Sequence, residues 1–211
     1  MTGSNDSLEA ALARLNQALT VGRSRRWCRT LWSRFVRLRD GYRCVVCDSP
    51  DRVAAHHVCR KSFLPEAEFQ TGNGATLCFS CHKEYHEDFN GKPDLRLLMD
   101  AQGGEKIERL AVLYSMLYDD ACTRNLLRDD YYFLSDSVLS KFKMFQGFEP
   151  YLAFAGYRIE QARSIWNQSP FGTLSAVISA QGLGLDPMLF VRGLERVPQF
   201  GVGQSVLRIH L

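Results

Sequence analysis

Long apolar runs are missing from this 211-residue sequence: none approaches the roughly 18 residues that a membrane-spanning helix requires. Collagen-like and low-complexity classes are excluded as well, because sixteen glycines and seven prolines are scattered without a period. The opening residues Met1-Thr2-Gly3-Ser4-Asn5-Asp6 supply neither the basic nor the apolar part of an export signal, so the expected compartment is the cytoplasm. In that reducing setting seven cysteines do not make a disulfide framework, and an odd count leaves one over in any case. Net charge is scarce too: +3 is too little by itself to argue for a nucleic-acid partner. With 45% hydrophobic and 23% charged residues, the chain has the composition of an ordinary globular protein.

The small net charge hides an asymmetry. Residues 20–62 carry +8, whereas residues 1–19, 63–100 and 101–150 carry −1, −4 and −2, and residues 151–211 carry +2. Most of the basic segment is arginine, from Arg23 to Arg43, the side chain whose planar fork binds phosphate through two parallel hydrogen bonds. A charge run alone is more often the solvated face of an amphipathic helix. The cysteines and histidines downstream of this one change those odds.

Asp6 followed by Glu9 reads as a capping box, and Leu8, Leu12, Leu15 and Leu19 then repeat at helical spacing. A second helix is predicted over residues 25–39, with Cys28, Leu31, Phe35 and Leu38 as its apolar stripe, arginines on the other face and Asp40-Gly41 as its end. Residues 42–58 are rich in β-branched and aromatic side chains and predict two short antiparallel strands about a turn at Cys47-Asp48-Ser49-Pro50-Asp51. A loop through Pro65 and Gly72-Asn73-Gly74 leads to a helix over residues 81–89. Beyond Gly91 the pattern is helical: Ile107, Leu110, Ala111, Tyr114, Leu117 and Tyr118 share one face, and Val138, Leu139, Phe142 and Phe145 another. Two more helices are expected over 150–166 and 187–196. These apolar stripes are most simply core.

Four cysteines fall into two pairs, Cys44-x-x-Cys47 and Cys78-x-x-Cys81, with thirty residues between the pairs. Two such knuckles let four thiolates converge on one Zn²⁺ at about 2.3 Å. A redox CxxC needs only one pair. Cys28 and Cys122 are expected to be small buried hydrophobes, and Cys59 a loop thiol. Four of the five histidines, His56, His57, His82 and His86, lie inside or just after the segment that the knuckles enclose. His82 and His86 are four apart on a predicted helix, so their imidazoles project from one face and can share an ion. Adjacent strand residues point to opposite sides, so one of His56 and His57 can join that ion and the other is free for acid–base work. Trp27 and Trp32 stand at helical spacing beside Cys28 and Phe35, where packing competes with base stacking.

The segment containing Trp32, Arg39-Asp40-Gly41-Tyr42-Arg43-Cys44-Val45-Val46-Cys47, Ala55-His56-His57-Val58, Pro65-Glu66, Phe69 and Asn73-Gly74-Ala75-Thr76-Leu77-Cys78-Phe79-Ser80-Cys81-His82-Lys83-Glu84-Tyr85-His86 resembles an HNH endonuclease of the ββα-metal type, in its zinc-knuckle branch. The resemblance covers residues 27–90, less than a third of the chain. The gaps of sixteen from His57 to Asn73, nine to His82 and four to His86 are also close to those of the colicin nuclease branch.

The resemblance implies an α+β chain. A small ββα-metal nuclease unit with a structural zinc knuckle at 23–92 would be preceded by an N-terminal helix at 1–22 and followed by a mainly helical region of unknown role at 93–211. It implies DNA as substrate, His57 as general base toward water, and His56 and His82 on a single divalent ion, with His86 a further ligand or a donor to the phosphate. Asn73 would either brace the loop that carries the base or bind the metal. Many relatives have aspartate where this chain has His56, and an imidazole widens the choice of working ion from Mg²⁺ to Mn²⁺, Ni²⁺ or Zn²⁺. Cys44, Cys47, Cys78 and Cys81 would hold the structural Zn²⁺. Arg25, Arg26, Arg29, Arg37, Arg43 and Lys61 become candidate DNA contacts. Six neutralised phosphates would give a log K against log salt slope of about −5. The competing reading is a non-catalytic module in which the same knuckle binds nucleic acid or a protein. A third reading makes the C-terminal half a docking region for a second copy or for a partner protein that controls the nuclease, an arrangement that fits phage defence, restriction or a phage-encoded nuclease by analogy alone.

Overall fold

The computed structural model describes residues 3–86, 107–149 and 151–168, with side chains of the first helix described from Leu8 onward. All of these belong to one unit that spans residues 1–172. Leu8, Leu12 and Leu15 form the buried stripe of α1 (Gly3–Thr20). The helix starts three residues before the expected cap at Asp6, which lies inside its first turns. Leu19 is exposed at its end, and Ala18 takes the buried place instead.

Helix α2 (Arg25–Arg39) packs along α1. Ser24 caps it, its Oγ accepting from the Trp27 N–H at 3.3 Å, and Gly41, at φ +63°, lets the chain turn away after Asp40. The buried face is Cys28, Trp32, Phe35, Val36 and Arg39, so the expected split into an apolar stripe and an arginine face fails at Arg39. That guanidinium is fully buried and uses all five N–H groups. It donates to both Asp40 carboxylate oxygens and to the carbonyls of Thr71, Gly74 and Tyr131. It also lies 4.1 Å from the Tyr132 ring centre. Asp40 in turn accepts the Thr76 N–H at 2.8 Å. Asp40 is why Arg39 tolerates burial: the two charges neutralise each other and every donor finds an acceptor.

Residues 42–58 do not form a hairpin. Tyr42, Asp48 and Arg52 have φ between +43° and +58°, a left-handed backbone that cannot extend into strands, and the Cys44–Cys47 knuckle occupies the place of the first expected strand. The sheet is instead β1 (Ala54–His57) paired antiparallel with β2 (Gly74–Leu77), with His56 opposite Ala75 and His57 opposite Gly74. The knuckle joins this sheet through the Val45 N–H, which donates to Thr76 O at 2.9 Å. Gly74 is required by close packing: a Cβ there would stand 2.6 Å from Val36 Cγ2 and 2.7 Å from Trp32 Cζ2. Helix α3 (Phe79–His86) follows β2 directly; residues 87–89 of the expected helix lie outside the described residues.

Three further helices, α4 (Ile107–Thr123), α5 (Asp136–Phe145) and α6 (Arg158–Asn167), bury Leu110, Leu113, Tyr114 and Leu117 against Val138, Leu139 and Phe142 and against Ile159, Ile165 and Trp166. The last helix begins well after Pro150, because Gly156, at φ +90°, interrupts helical backbone and the Tyr157 N–H is capped by Glu160. The helix expected over 187–196 lies outside the described residues. Cys28 is buried as expected, but Cys122 is exposed: its position near the end of α4 faces solvent while Ala121 faces the core. The described fold is thus α+β, with six helices and a two-stranded sheet, and no described helix is long and apolar enough to cross a membrane.

Candidate functional site

The four knuckle cysteines converge although thirty residues separate the pairs. Their sulfurs all lie within 4.8 Å of one another, with Cys47 Sγ 3.6 Å from Cys78 Sγ and 3.7 Å from Cys81 Sγ. Four thiolates around one Zn²⁺ at about 2.3 Å stand about 3.8 Å apart, so the spacing matches a tetrahedral zinc site. The Cys81 backbone N–H brings the Cys78 thiol down to about 7, whereas burial pushes the Cys81 thiol up. A dication is what would let all four ionise together. The residues fit structural zinc, and all four positions of a tetrahedron are taken by protein.

His56, His82 and His86 form a second cluster, their ring nitrogens within 4.8 Å of one another and His82 Nε2 3.3 Å from His86 Nε2. Two imidazoles on one ion at about 2.1 Å stand roughly 3.0–3.4 Å apart, so this pair has ligand spacing. His56 reaches the cluster from β1 and the other two from α3, four residues apart on one face, as their spacing predicts. Burial holds all three rings below the ordinary imidazolium range, most strongly His56. They are therefore neutral at neutral pH, the form that binds metal. Three protein ligands leave a tetrahedral or octahedral ion with open positions.

His57, the next residue on β1, points the other way. Its ring stacks on Trp32 with centres 4.2 Å apart and planes 10° from parallel, and its Nε2 donates to the Glu68 carbonyl at 3.0 Å. A carbonyl can only accept, so the proton sits on Nε2 and Nδ1 keeps its lone pair. Burial lowers its pKa to about 4, against the opposing effect of the Glu68 carbonyl, and the charges of Lys61 and Arg29 add to the lowering. At neutral pH the ring is uncharged.

Asn73 is fully buried and its amide is spent on the loop between the strands. Its Oδ1 accepts from the Cys59 N–H at 2.7 Å, and its Nδ2 donates to Cys59 O at 2.8 Å and Ala67 O at 3.1 Å. Of the two arrangements left open by sequence, the geometry is that of a loop brace. Cys59, the expected loop thiol, is buried in this same loop.

The basic residues divide. Arg25 and Arg29 pair with Glu68, Arg43 pairs with Asp48, and the Arg37 guanidinium lies 5.8 Å from the Tyr42 ring centre. Arg26 is exposed and makes no ion pair among the described residues, and Lys61 is half-buried. Trp32 packs at 1% exposure whereas Trp27, on the outer side of the same helix, is 52% exposed. Sequence reasoning passed over Glu68 and Gln70. Glu68 holds His57 through its carbonyl and Arg25 and Arg29 through its carboxylate, and Gln70 exchanges hydrogen bonds with Ser135 of the C-terminal region, Oε1 accepting from its N–H at 2.8 Å and Nε2 donating to its Oγ at 2.9 Å. A lone acidic and a lone amide residue in a loop give no periodic signal.

No protein-family model, no curated protein and no solved structure matches this chain. Its functional reading rests on the two clusters and on His57 between β1 and α2.

Proposed function

We propose that this chain is a metal-dependent endonuclease of the HNH type that hydrolyses phosphodiester bonds in DNA. The observation that carries the reading is the alternation on β1: His56 joins His82 and His86 in a three-imidazole cluster and His57, one residue on, offers an uncharged ring with a fixed tautomer. A binding module has no use for that pair.

His57 Nδ1 takes a proton from the water that attacks the scissile phosphorus, its Nε2–H remaining on the Glu68 carbonyl. The bond to the 3′ oxygen breaks, leaving 5′-phosphate and 3′-hydroxyl ends. Asn73 fixes the loop from Cys59 to Ala67, and with it the backbone that holds His57 in place. His56, His82 and His86 would hold a divalent ion, which would supply charge stabilisation at the phosphate and the leaving oxygen; Mg²⁺, Mn²⁺, Ni²⁺ and Zn²⁺ are all candidates. The thiolate cluster is a closed structural zinc site. Arg26 and the other exposed basic groups of residues 20–62 meet the DNA backbone, and the reaction is placed in the cytoplasm, in phage defence, restriction or phage DNA processing.

The experiment is plasmid nicking by the purified chain with each of the four ions. Cleavage with at least one ion, abolished by His57→Ala, is expected. No cleavage with any ion, together with salt-dependent DNA binding, would leave a binding module in its place.

A further inference from the structure

Helix α2 presents arginines on two sides. Arg25, Arg29 and Trp32, at successive turns, reach toward the loop between the strands, the two arginine side chains staying 62% and 43% exposed while their guanidinium groups meet Glu68, whereas Arg26, Trp27 and Arg34 are exposed away from it. The inward set converges on Glu68. Its two carboxylate oxygens are taken by Arg25 Nε at 2.5 Å and Arg29 Nη2 at 2.9 Å, and the carboxylate itself is only 4% exposed. Burial would raise the Glu68 carboxyl, but hydrogen bonds from Arg29 and Arg25 outweigh it and hold the group below its ordinary value. The same residue's carbonyl accepts the His57 Nε2–H, and Trp32 closes the other side by stacking on the His57 ring while its Nε1 donates to Gln70 O at 3.2 Å.

We propose that Arg25, Arg29, Glu68 and Trp32 are positioning residues for His57, fixing its ring plane and tautomer, so that the arginine segment is split between an inward pair that orients the base and an outward set that meets nucleic acid. The inference rests on His57 being the base. The logic is one of burial. The carbonyl that holds His57 belongs to the backbone and survives any side-chain change at Glu68, so its position depends on where the Glu68 side chain is anchored. A carboxylate stripped of its arginines cannot stay desolvated; it moves toward water and takes the carbonyl with it. His57 then samples both tautomers, and Nδ1 is no longer held as the acceptor.

The test uses the zinc-loaded full chain. Two-bond nitrogen–proton NMR correlations of the imidazoles read the His57 tautomer without any cleavage, and kcat, KM and the salt dependence of DNA binding are measured on the same samples. Arg29→Gln and Glu68→Gln are expected to give a mixed His57 tautomer and a kcat about ten- to a hundredfold lower, with KM and the salt slope unchanged. Arg29→Lys recovers part of the loss. Arg26→Gln, on the outer side, instead makes the salt slope shallower by about one. Trp32→Phe keeps an aromatic face on His57 but loses the Nε1–H donated to Gln70 O, and is expected to disturb the tautomer less than Arg29→Gln does. If Arg29→Gln and Glu68→Gln leave the Nε2–H tautomer intact and weaken DNA binding with a shallower slope, the inward arginines are phosphate contacts and the proposal is overturned. If the wild-type chain cleaves nothing with any ion while the tautomer still follows the Glu68 pair, the nuclease reading fails and the positioning stands.

Discussion

The cysteine cluster and the histidine cluster share one short helix yet have opposite chemistry. Cys81 and His82 are neighbours on α3, and the helix delivers the first to four sulfurs and the second to three imidazoles. The sulfur set is complete: a tetrahedral ion held there has no position left for water. The imidazole set is short by at least one ligand, and His57, the proposed base, stands on the adjacent position of β1. The lesson is that ligand number separates the roles more clearly than ligand identity does. The cysteine cluster brings the knuckle to the junction of β2 and α3, and the histidine cluster brings β1 to α3.

Breaking the closed cluster is expected to have the largest effect. Chelation of zinc, or Cys47→Ser with Cys81→Ser, removes on the order of 10 kcal/mol of apparent folding energy, and residues 44–86 lose their cooperative melting transition by circular dichroism. A zinc-stripped chain that melts like the loaded one would erase the distinction between the clusters. Next comes the base. On the proposed activity, His57→Ala lowers the cleavage rate by about 10² to 10⁴ while elemental analysis still finds ions at both clusters. Third, His82→Ala keeps one zinc per chain on the thiolates but weakens binding of the second ion by more than the roughly 100-fold that loss of a supporting partner costs. Calorimetric titration with Mn²⁺ or Ni²⁺ measures it. Equal loss of both ions would mean that the clusters act as one. The smallest effect is at Asn73: Asn73→Ala leaves the buried Cys59 N–H and the Cys59 and Ala67 carbonyls without their partner and costs about 1–3 kcal/mol in urea denaturation, with both ions retained.

Most of the helices were legible because their apolar residues recur at the helical period: Leu8, Leu12 and Leu15, or Val138, Leu139 and Phe142, reach the core as periodicity predicts. The cluster residues were legible by spacing, since CxxC and an i, i+4 histidine pair bring ligands together by local geometry. The strands were not. A four-residue strand carries too little pattern, and β1 pairs with β2 across a sixteen-residue loop instead of with its immediate neighbour. Arg39 was misplaced for a related reason. A lone arginine in a basic run reads as solvated, and only the approach of Thr71, Gly74 and Tyr131 makes burial tolerable. The C-terminal region gave no chemical motif, yet its residues 131–135 hold the site loop through Gly72, Thr71 and Gln70.

By itself the sequence determined which side chains can hold metal, that one of His56 and His57 must alternate away from them, and where most of the helices lie, because each of these depends on residues a few positions apart. Tertiary structure decided which nitrogen of His57 carries its proton, that Asn73 braces the loop, and that two arginines of a basic helix turn inward to Glu68. Those are contacts between residues six to forty-three positions apart, and only the folding back of the loop between the strands and the packing of α2 against it bring them within reach.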